Sequence, residues 1–412
     1  MTTPAGPSHA PDAPSGRSTS TSSWFALAAL TIGIFVMVTI EELPIGVLTL
    51  IADDLGATRG AAGLAVTVPG VLAGVVALAT PLVIGTMDRR LVIVLSLASV
   101  VVSCLLSMIA PSLLTLLAAR LFAGLAIGLN WSVLAVVAVR QVSAAHTGRA
   151  LTIAFSGVGG ALVLGVPFST WIGTVMGWRL SFGVVGTLAL LVLVAVIVLV
   201  RPVPASEAHS LGTMRRALRH RGIRYAIGLT ALLITGQFVI YAYVSPMLQE
   251  RADVPLWAIG PLLLAFGVAG LIGNFAIGPV LERSPARGVL IVSLGVACSL
   301  LLIAFVARSF LAAAVMMPIW GLFAGALSVT NQAFVTRESG EYEELGTALN
   351  SAAFNVAIAL GALIGGRIVD LSGTSAALVT AIVIILAGVL LIARWLARPG
   401  QDRSVTGDLA GS

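Results

Sequence analysis

The chain has 412 residues, 58% of them apolar and only 10% charged, with a formal net charge of +6. A soluble domain carries about a quarter charged residues, so this composition excludes a soluble protein. Long unbroken apolar runs also exclude a transmembrane barrel, whose strands are short and alternating.

Residues 1–23, rich in Ser, Thr and Pro with one base, Arg17, read as a disordered tail. They are not a signal peptide: a basic start is missing and the first apolar run outlasts an h-region. Twelve runs of helix-spanning length follow, near 24–50, 62–84, 91–110, 113–138, 150–176, 180–200, 224–248, 257–281, 288–307, 310–335, 346–369 and 373–396. The expected fold is an all-α polytopic membrane protein of two six-helix bundles, 24–200 and 224–397. A basic linker, 201–223, joins them, and a tail, 398–412, closes the chain. The short loops leave no room for a soluble catalytic domain.

All 23 basic residues are Arg. With the N-terminus inside, seventeen fall in cytoplasmic segments, four (Arg59, Arg179, Arg251 and Arg308) in external ones, and Arg120 and Arg367 within spans. By the positive-inside rule both termini are cytoplasmic, and the bases read as topology rather than as a nucleic-acid surface. Cys104 and Cys298 fall in apolar runs and define neither a metal site nor a disulfide framework.

The halves repeat. Leu121-Phe-Ala-Gly…Asn130 recurs as Leu322-Phe-Ala-Gly…Asn331, and Gly148-Arg-Ala-Leu151 as Gly346-Thr-Ala-Leu349. Ile84-Gly-Thr-Met-Asp-Arg89 recurs as Ile277-Gly-Pro-Val-Leu-Glu-Arg283. Such duplication is the design of secondary transporters, with a midplane site between halves that rock.

Ionisable groups inside spans are costly and usually functional. Glu41 and Glu42 are the acids well inside a span, and burial favours the neutral form of a carboxyl group, which suits a proton carrier. Neighbouring helical positions point about 100° apart, so the two are not expected to share a cavity. Arg120 is the base well inside a span and needs a partner; Arg367 is expected to pair locally with Asp370. Trp131 shares a helical face with Arg120. Span 7 carries a polar stripe of Thr230, Gln237, Tyr241 and Ser245, and Asn130, Asn331, Gln332, Asn350 and Asn355 add further hydrogen-bonding groups. Span 5 holds a small residue at every fourth position from Gly157 to Gly177, the pattern that lets helix backbones approach closely.

Several stretches carry a family resemblance: Glu41-Glu-Leu-Pro-Ile-Gly-Val-Leu…Ile51-Ala-Asp-Asp-Leu, Asp88-Arg89-Arg90, Arg120-Leu-Phe-Ala-Gly124, Gly165-Val-Pro167 with Gly177-Trp-Arg179, and Gly236-Gln-Phe238. Together they resemble the major facilitator superfamily, in its twelve-span drug/proton antiporter group, near the bacterial arabinose (sugar) and purine-nucleoside efflux permeases. Asp88-Arg89-Arg90 lacks the second glycine of the family's loop signature. Ile127-Gly128 stands where arabinose-efflux relatives often have His-Gly, which points from sugars toward nucleosides or another amphiphile.

The resemblance implies a proton-coupled exporter of a small organic molecule working by alternating access, without cofactor or metal, as a monomer in a bacterial inner membrane. It places Glu41 and Arg120 in the central cavity as a reachable pair. Relatives commonly have an apolar or aromatic residue at the place of Glu42, the other acid grouped with proton coupling. Trp131, Asn130, Gln237, Tyr241, Asn331 and Asn355 are the candidate substrate-binding residues. Asp88, Arg89, Arg90, Glu282 and Arg283 would form a cytoplasmic salt-bridge latch, and Gly165 and Pro167 belong to the stretch associated with antiport. No Walker-type loop, His-Glu-x-x-His or Gly-x-Ser-x-Gly motif is present, so neither ATP hydrolysis nor an intramembrane hydrolase is expected. A uniporter or uptake symporter on the same fold, and a non-transporting membrane receptor or enzyme, are the alternatives.

Overall fold

A computed structural model describes residues 21–83, 87–143, 146–204 and 211–397. Arg17, the Ile84-Gly-Thr stretch, Arg398 and Arg403 lie outside them.

In hydrocarbon every backbone polar group must be bonded within the chain, which leaves the helix as the solution for long apolar runs. Eleven helical runs are long and apolar enough to cross a membrane, and the last spans 52 residues, enough for two crossings. That run, part of Glu343–Leu396, is broken at Gly373, whose φ of 81° is a left-handed conformation that side-chain-bearing residues rarely adopt. Twelve spans result.

The N-terminal half comprises α1 (Thr21–Gly46, resuming as Leu48–Asp54), α2 (Arg59–Val83), α3 (Arg89–Met108), α4 (Leu113–Arg140), α5 (Thr147–Met176) and α6 (Trp178–Leu199). The C-terminal half comprises α7 (Arg221–Tyr241, continued by Val244–Ala252), α8 (Leu256–Arg283), α9 (Pro285–Val306), α10 (Phe310–Glu338), α11 (343–372) and α12 (374–396). The helix Leu211–Ala217 between them packs Met214 and Ala217 onto Ile223, Leu345 and Leu349, so the linker docks on the C-terminal half.

Local chemistry sets the helix ends. Ser112 and Thr115 form a reciprocal capping box at the start of α4. Pro44 lies inside α1, and the helix breaks at Val47 before resuming. α5 contains a π-helical segment, Ala161–Gly165. Leu114, Val198, Phe275 and Leu311 are each more than 70% exposed, apolar surface that lipid rather than water would cover.

The two halves abut along two seams. In one, α2 lies on α11: a methyl group added at Gly70 would sit 3.1 Å from the Ala359 side chain. In the other, α5 lies on α8: a methyl at Gly267 would collide with the Leu162 carbonyl. Small residues at these points let the backbones touch.

Candidate functional site

α1 is, with α7, one of the two most enclosed spans, and its Ile34, Val36, Met37, Ile40, Leu43 and Ile45 are all fully buried. Arg120 of α4 is also fully buried and reaches toward it. Its Nε donates to the Ala65 carbonyl of α2 at 2.9 Å and its Nη2 to the backbone carbonyl of Glu41 at 3.4 Å, while Nη1 has no hydrogen-bond partner. The expected pair is therefore brought together, but through the Glu41 backbone. The half-buried Glu41 carboxyl is an electrostatic neighbour of the guanidinium without forming an ion pair with it.

Glu42 is the more enclosed of the two acids. It does point away from Glu41's partner, yet it is just 8% exposed, its carboxyl faces the Tyr241 hydroxyl of the other half, and its Oε2 accepts no hydrogen bond. Because the part of α1 from residue 36 to residue 49 is buried on nearly every side, both acids are interior.

Around Tyr241 lies a group of rings. Tyr241 stacks on Phe266 with centroids 5.2 Å apart and planes 22° apart. Trp320 stands edge-on to both, and Phe238 packs against Tyr241 at 5.6 Å. Trp320 Nε1 donates to Gln237 Oε1 at 3.1 Å. Phe266 and Trp320 escaped the sequence reading, because an aromatic residue in an apolar run carries no periodic signal. The need of a buried indole N–H for an acceptor could have pointed to Gln237.

The other candidates are spread out. Asn331 Nδ2 donates to Thr230 Oγ1, which donates to Asn350 Oδ1 at 2.5 Å, a knot joining α10, α7 and α11; Asn331 Oδ1 remains unpartnered. Asn355 turns back to the Ser351 carbonyl of its own helix at 2.9 Å. On α4, buried Asn130 has an unpartnered Nδ2, and Trp131 packs on Phe155 of α5 at 6.1 Å.

Asp88 caps α3 through the Arg90 N–H at 2.8 Å and accepts from the Val203 N–H at 2.8 Å, while the Arg90 guanidinium donates to the Ile197 carbonyl. This loop, including Arg89, whose N–H donates to the Val203 carbonyl at 2.9 Å, thus ties α3 to the end of α6 within one half. Glu282 and Arg283 are exposed, and neither forms an ion pair among the described residues. Gly165 lies against α1, where a methyl group would collide with Thr39 Oγ1, and Pro167 presents its carbonyl to Gly260 of α8.

Among the described residues, polar contacts between the halves cluster at the opposite end, near residues 49–60. Arg59 ion-pairs with Glu250, Thr58 and Gly60 donate to Asp370, and Gln249 Nε2 donates to Thr49 Oγ1 at 3.0 Å. Asp370 is thus engaged across the halves rather than with Arg367, correcting the local pairing expected for that arginine.

Residues 30–343 and 258–411 match the family model described as Major Facilitator Superfamily. The purine ribonucleoside efflux pump NepI of Salmonella paratyphi B (strain ATCC BAA-1250 / SPB7) is 29% identical over 348 residues, covering 84% of this chain and 88% of the relative. The transcription regulatory protein OpdE of Pseudomonas aeruginosa (strain PAO1) is 29% identical over 384 residues, covering 91% and 93%. Among solved structures, the nucleoside transporter NupG aligns with a TM-score of 0.70 at 11% identity, covering 90% of this chain and 99% of that one. A bacterial homolog of the human lysosomal transporter Spinster, inward-facing and unoccupied, aligns at 0.66 and 16%, covering 91% and 95%. At these identities the structural likeness concerns the fold.

Proposed function

The chain belongs to the Major Facilitator Superfamily, and on that premise we propose that it is a proton-coupled exporter of nucleosides, purine nucleosides first among them. As a member it is a multi-span membrane transporter and not an enzyme. The observation that carries the finer reading is the placement of Glu41 beside fully buried Arg120 in the span that both halves enclose. An ionisable pair in that position is costly to keep without a task, and relatives named as purine ribonucleoside efflux pumps support the substrate class and direction.

The Arg distribution supports a bacterial inner-membrane orientation with both termini in the cytoplasm, which makes the contacts at residues 49–60 the external closure. In this reading a proton from outside neutralises Glu41, the nucleoside and proton occupy the cavity in alternation, and the halves rock about the α2–α11 and α5–α8 seams. Trp131, Asn130, Gln237, Tyr241, Asn331 and Asn355 are the proposed substrate contacts, and Glu42 shares the interior with Glu41. Asp88, Arg89, Arg90, Glu282 and Arg283 are assigned to the cytoplasmic gate of the opposite state.

Everted vesicles from cells expressing the protein test this reading. Labelled inosine should accumulate inside them when an inside-acid gradient is imposed, and an uncoupler should abolish it. Movement of inosine that only equilibrates across the membrane and is unaffected by the uncoupler would favour a uniporter.

A further inference from the structure

The first turn of α2 takes part of its N-terminal capping from the other half. A helix leaves its first N–H groups without a partner inside the helix. Here the Ala62 N–H donates to the Thr58 carbonyl at 2.9 Å, the first regular helical bond. Ahead of it, the Ala61 N–H is capped by Thr58 Oγ1 at 3.1 Å and the Gly60 N–H by Asp370 Oδ1 of α11 at 2.8 Å. Thr58 Oγ1 in turn donates to Asp370 Oδ2 at 2.6 Å, so one carboxylate also holds the hydroxyl that caps Ala61. Arg59 reaches Glu250 on the continuation of α7, and Glu250 accepts a further bond from Thr374 Oγ1 at 2.7 Å.

The turn has little helical strength of its own. Gly60 and Gly63 both lie in it, and glycine is the poorest helix former after proline. Contact with the C-terminal half dictates both. A methyl group at Gly60 would collide with the Gly366 carbonyl, and one at Gly63 with the Tyr243 hydroxyl, which donates to the Ala362 carbonyl at 2.6 Å. The residues of this turn thus fit its partner rather than favour a helix.

We propose that residues 59–63 are wound only while this end is closed, and that when the halves part the first turn of α2 unwinds back to Leu64. The inference rests on the rocking of the halves given above and not on the cargo. On separation the Gly60 N–H and the Thr58 hydroxyl lose their acceptor, and Gly60 and Gly63 lose their packing. A weakly capped turn that water can reach then frays, and the chain entropy it regains favours the open state. Closure refolds the turn onto Asp370, so the helix-forming strength of residues 60–63 sets the balance of the gate. A turn that stayed wound throughout would have no such influence, since its propensity would count equally in both states.

The test uses the full-length protein in lipid nanodiscs, without substrate. Hydrogen exchange read by mass spectrometry should be at least about tenfold faster at residues 60–63 in Asp370→Ala than in the unmodified protein, with residues 68–76 of the same helix unchanged. Ala61→Gly keeps the Thr58, Arg59 and Gly60 contacts and lowers only the helix propensity. Spin labels at Ala57 and Ser375 should show its open-to-closed ratio raised about fivefold, the population equivalent of an alanine-to-glycine change within a helix. Labels that separate in Asp370→Ala while residues 60–63 keep their protection would overturn the inference and leave the rocking intact. So would an unchanged ratio in Ala61→Gly. A single, unchanged label distance in the unmodified protein and both variants would overturn the inference together with the rocking it rests on. Ala61→Gly retains Asp370, so an Asp370→Ala protein that folds poorly leaves the test standing.

Discussion

Gly60 in the N-terminal half donates its backbone N–H to Asp370 Oδ1 in the C-terminal half across 2.8 Å. Thr58 Oγ1 adds a second bond to the same carboxylate at 2.6 Å, and Arg59 pairs with Glu250 beside it. Residue 60 has to be glycine, since a methyl group there would collide with the Gly366 carbonyl and with Asp370 itself. Three consecutive residues at the start of α2 thus bind two carboxylates of the other half.

Asp370→Ala removes both acceptor contacts at once. At about 1 kcal/mol net for each hydrogen bond, the closed state of this end should lose about 2 kcal/mol, a shift of roughly thirtyfold in the closed-to-open ratio. Spin labels at Ala57 and Ser375 should report a new population at longer distance. Arg59→Ala should do less, because both partners of its ion pair are about a third exposed and exposed pairs contribute little.

The glycines of α5 and α8 separate packing within a half from packing between halves. Gly165→Leu drives a side chain into Thr39 of α1 and should destabilise the N-terminal half itself, by about 1–3 kcal/mol or more, seen as a lower melting temperature in detergent. Gly267→Val instead meets the Leu162 carbonyl across the α5–α8 seam. It should separate the halves and slow exchange between states, read as reduced counterflow.

Arg120→Lys tests whether the guanidinium acts as a fork or as a charge. One ammonium lacks the planar spread that serves the Ala65 and Glu41 carbonyls together. Transport should fall at least about tenfold at matched membrane expression, because near-native transport is expected only if charge alone matters.

Asp54 illustrates the pH dependence of the closed end. Its hydrogen bond from Arg179 is the main reason its carboxyl titrates below the ordinary aspartate range, with Trp178 Nε1 adding a second donor at 3.2 Å. A depressed folded-state value stabilises the fold above the unfolded value, and the contribution disappears as pH falls through the folded one. Asp54→Asn should therefore lower thermal stability slightly at pH 7, by less than about 1 kcal/mol for so exposed a pair. In strong acid the variant and the parent should melt alike.

Much of this was legible in the sequence, and the exceptions have physical reasons. Apolar run length located the spans to within a few residues, because the bilayer fixes how many residues a helix needs. It also separated α11 from α12, which run as one helical stretch broken at Gly373. Glu41 and Arg120 stood out because charge in hydrocarbon is rare. The spacing that turns Glu42 away from Arg120 was legible, but its contact with Tyr241 was not, because helical spacing gives the angle between two side chains and not what lies on each side. An acid turned away from Arg120 meets lipid on a peripheral span, and on enclosed α1 it meets Tyr241. Asp370 was assigned to Arg367 from spacing alone, whereas its partners lie more than three hundred positions away in the chain.

Efflux from proteoliposomes under an imposed pH gradient, comparing the unmodified protein with Glu41→Gln, tests the central claim most directly. Glutamine keeps the shape and hydrogen-bonding capacity but carries no exchangeable carboxyl proton. The account predicts that gradient-driven inosine transport stops in Glu41→Gln while inosine binding and inosine–inosine exchange persist. Full gradient-driven transport in Glu41→Gln at matched protein levels would contradict it.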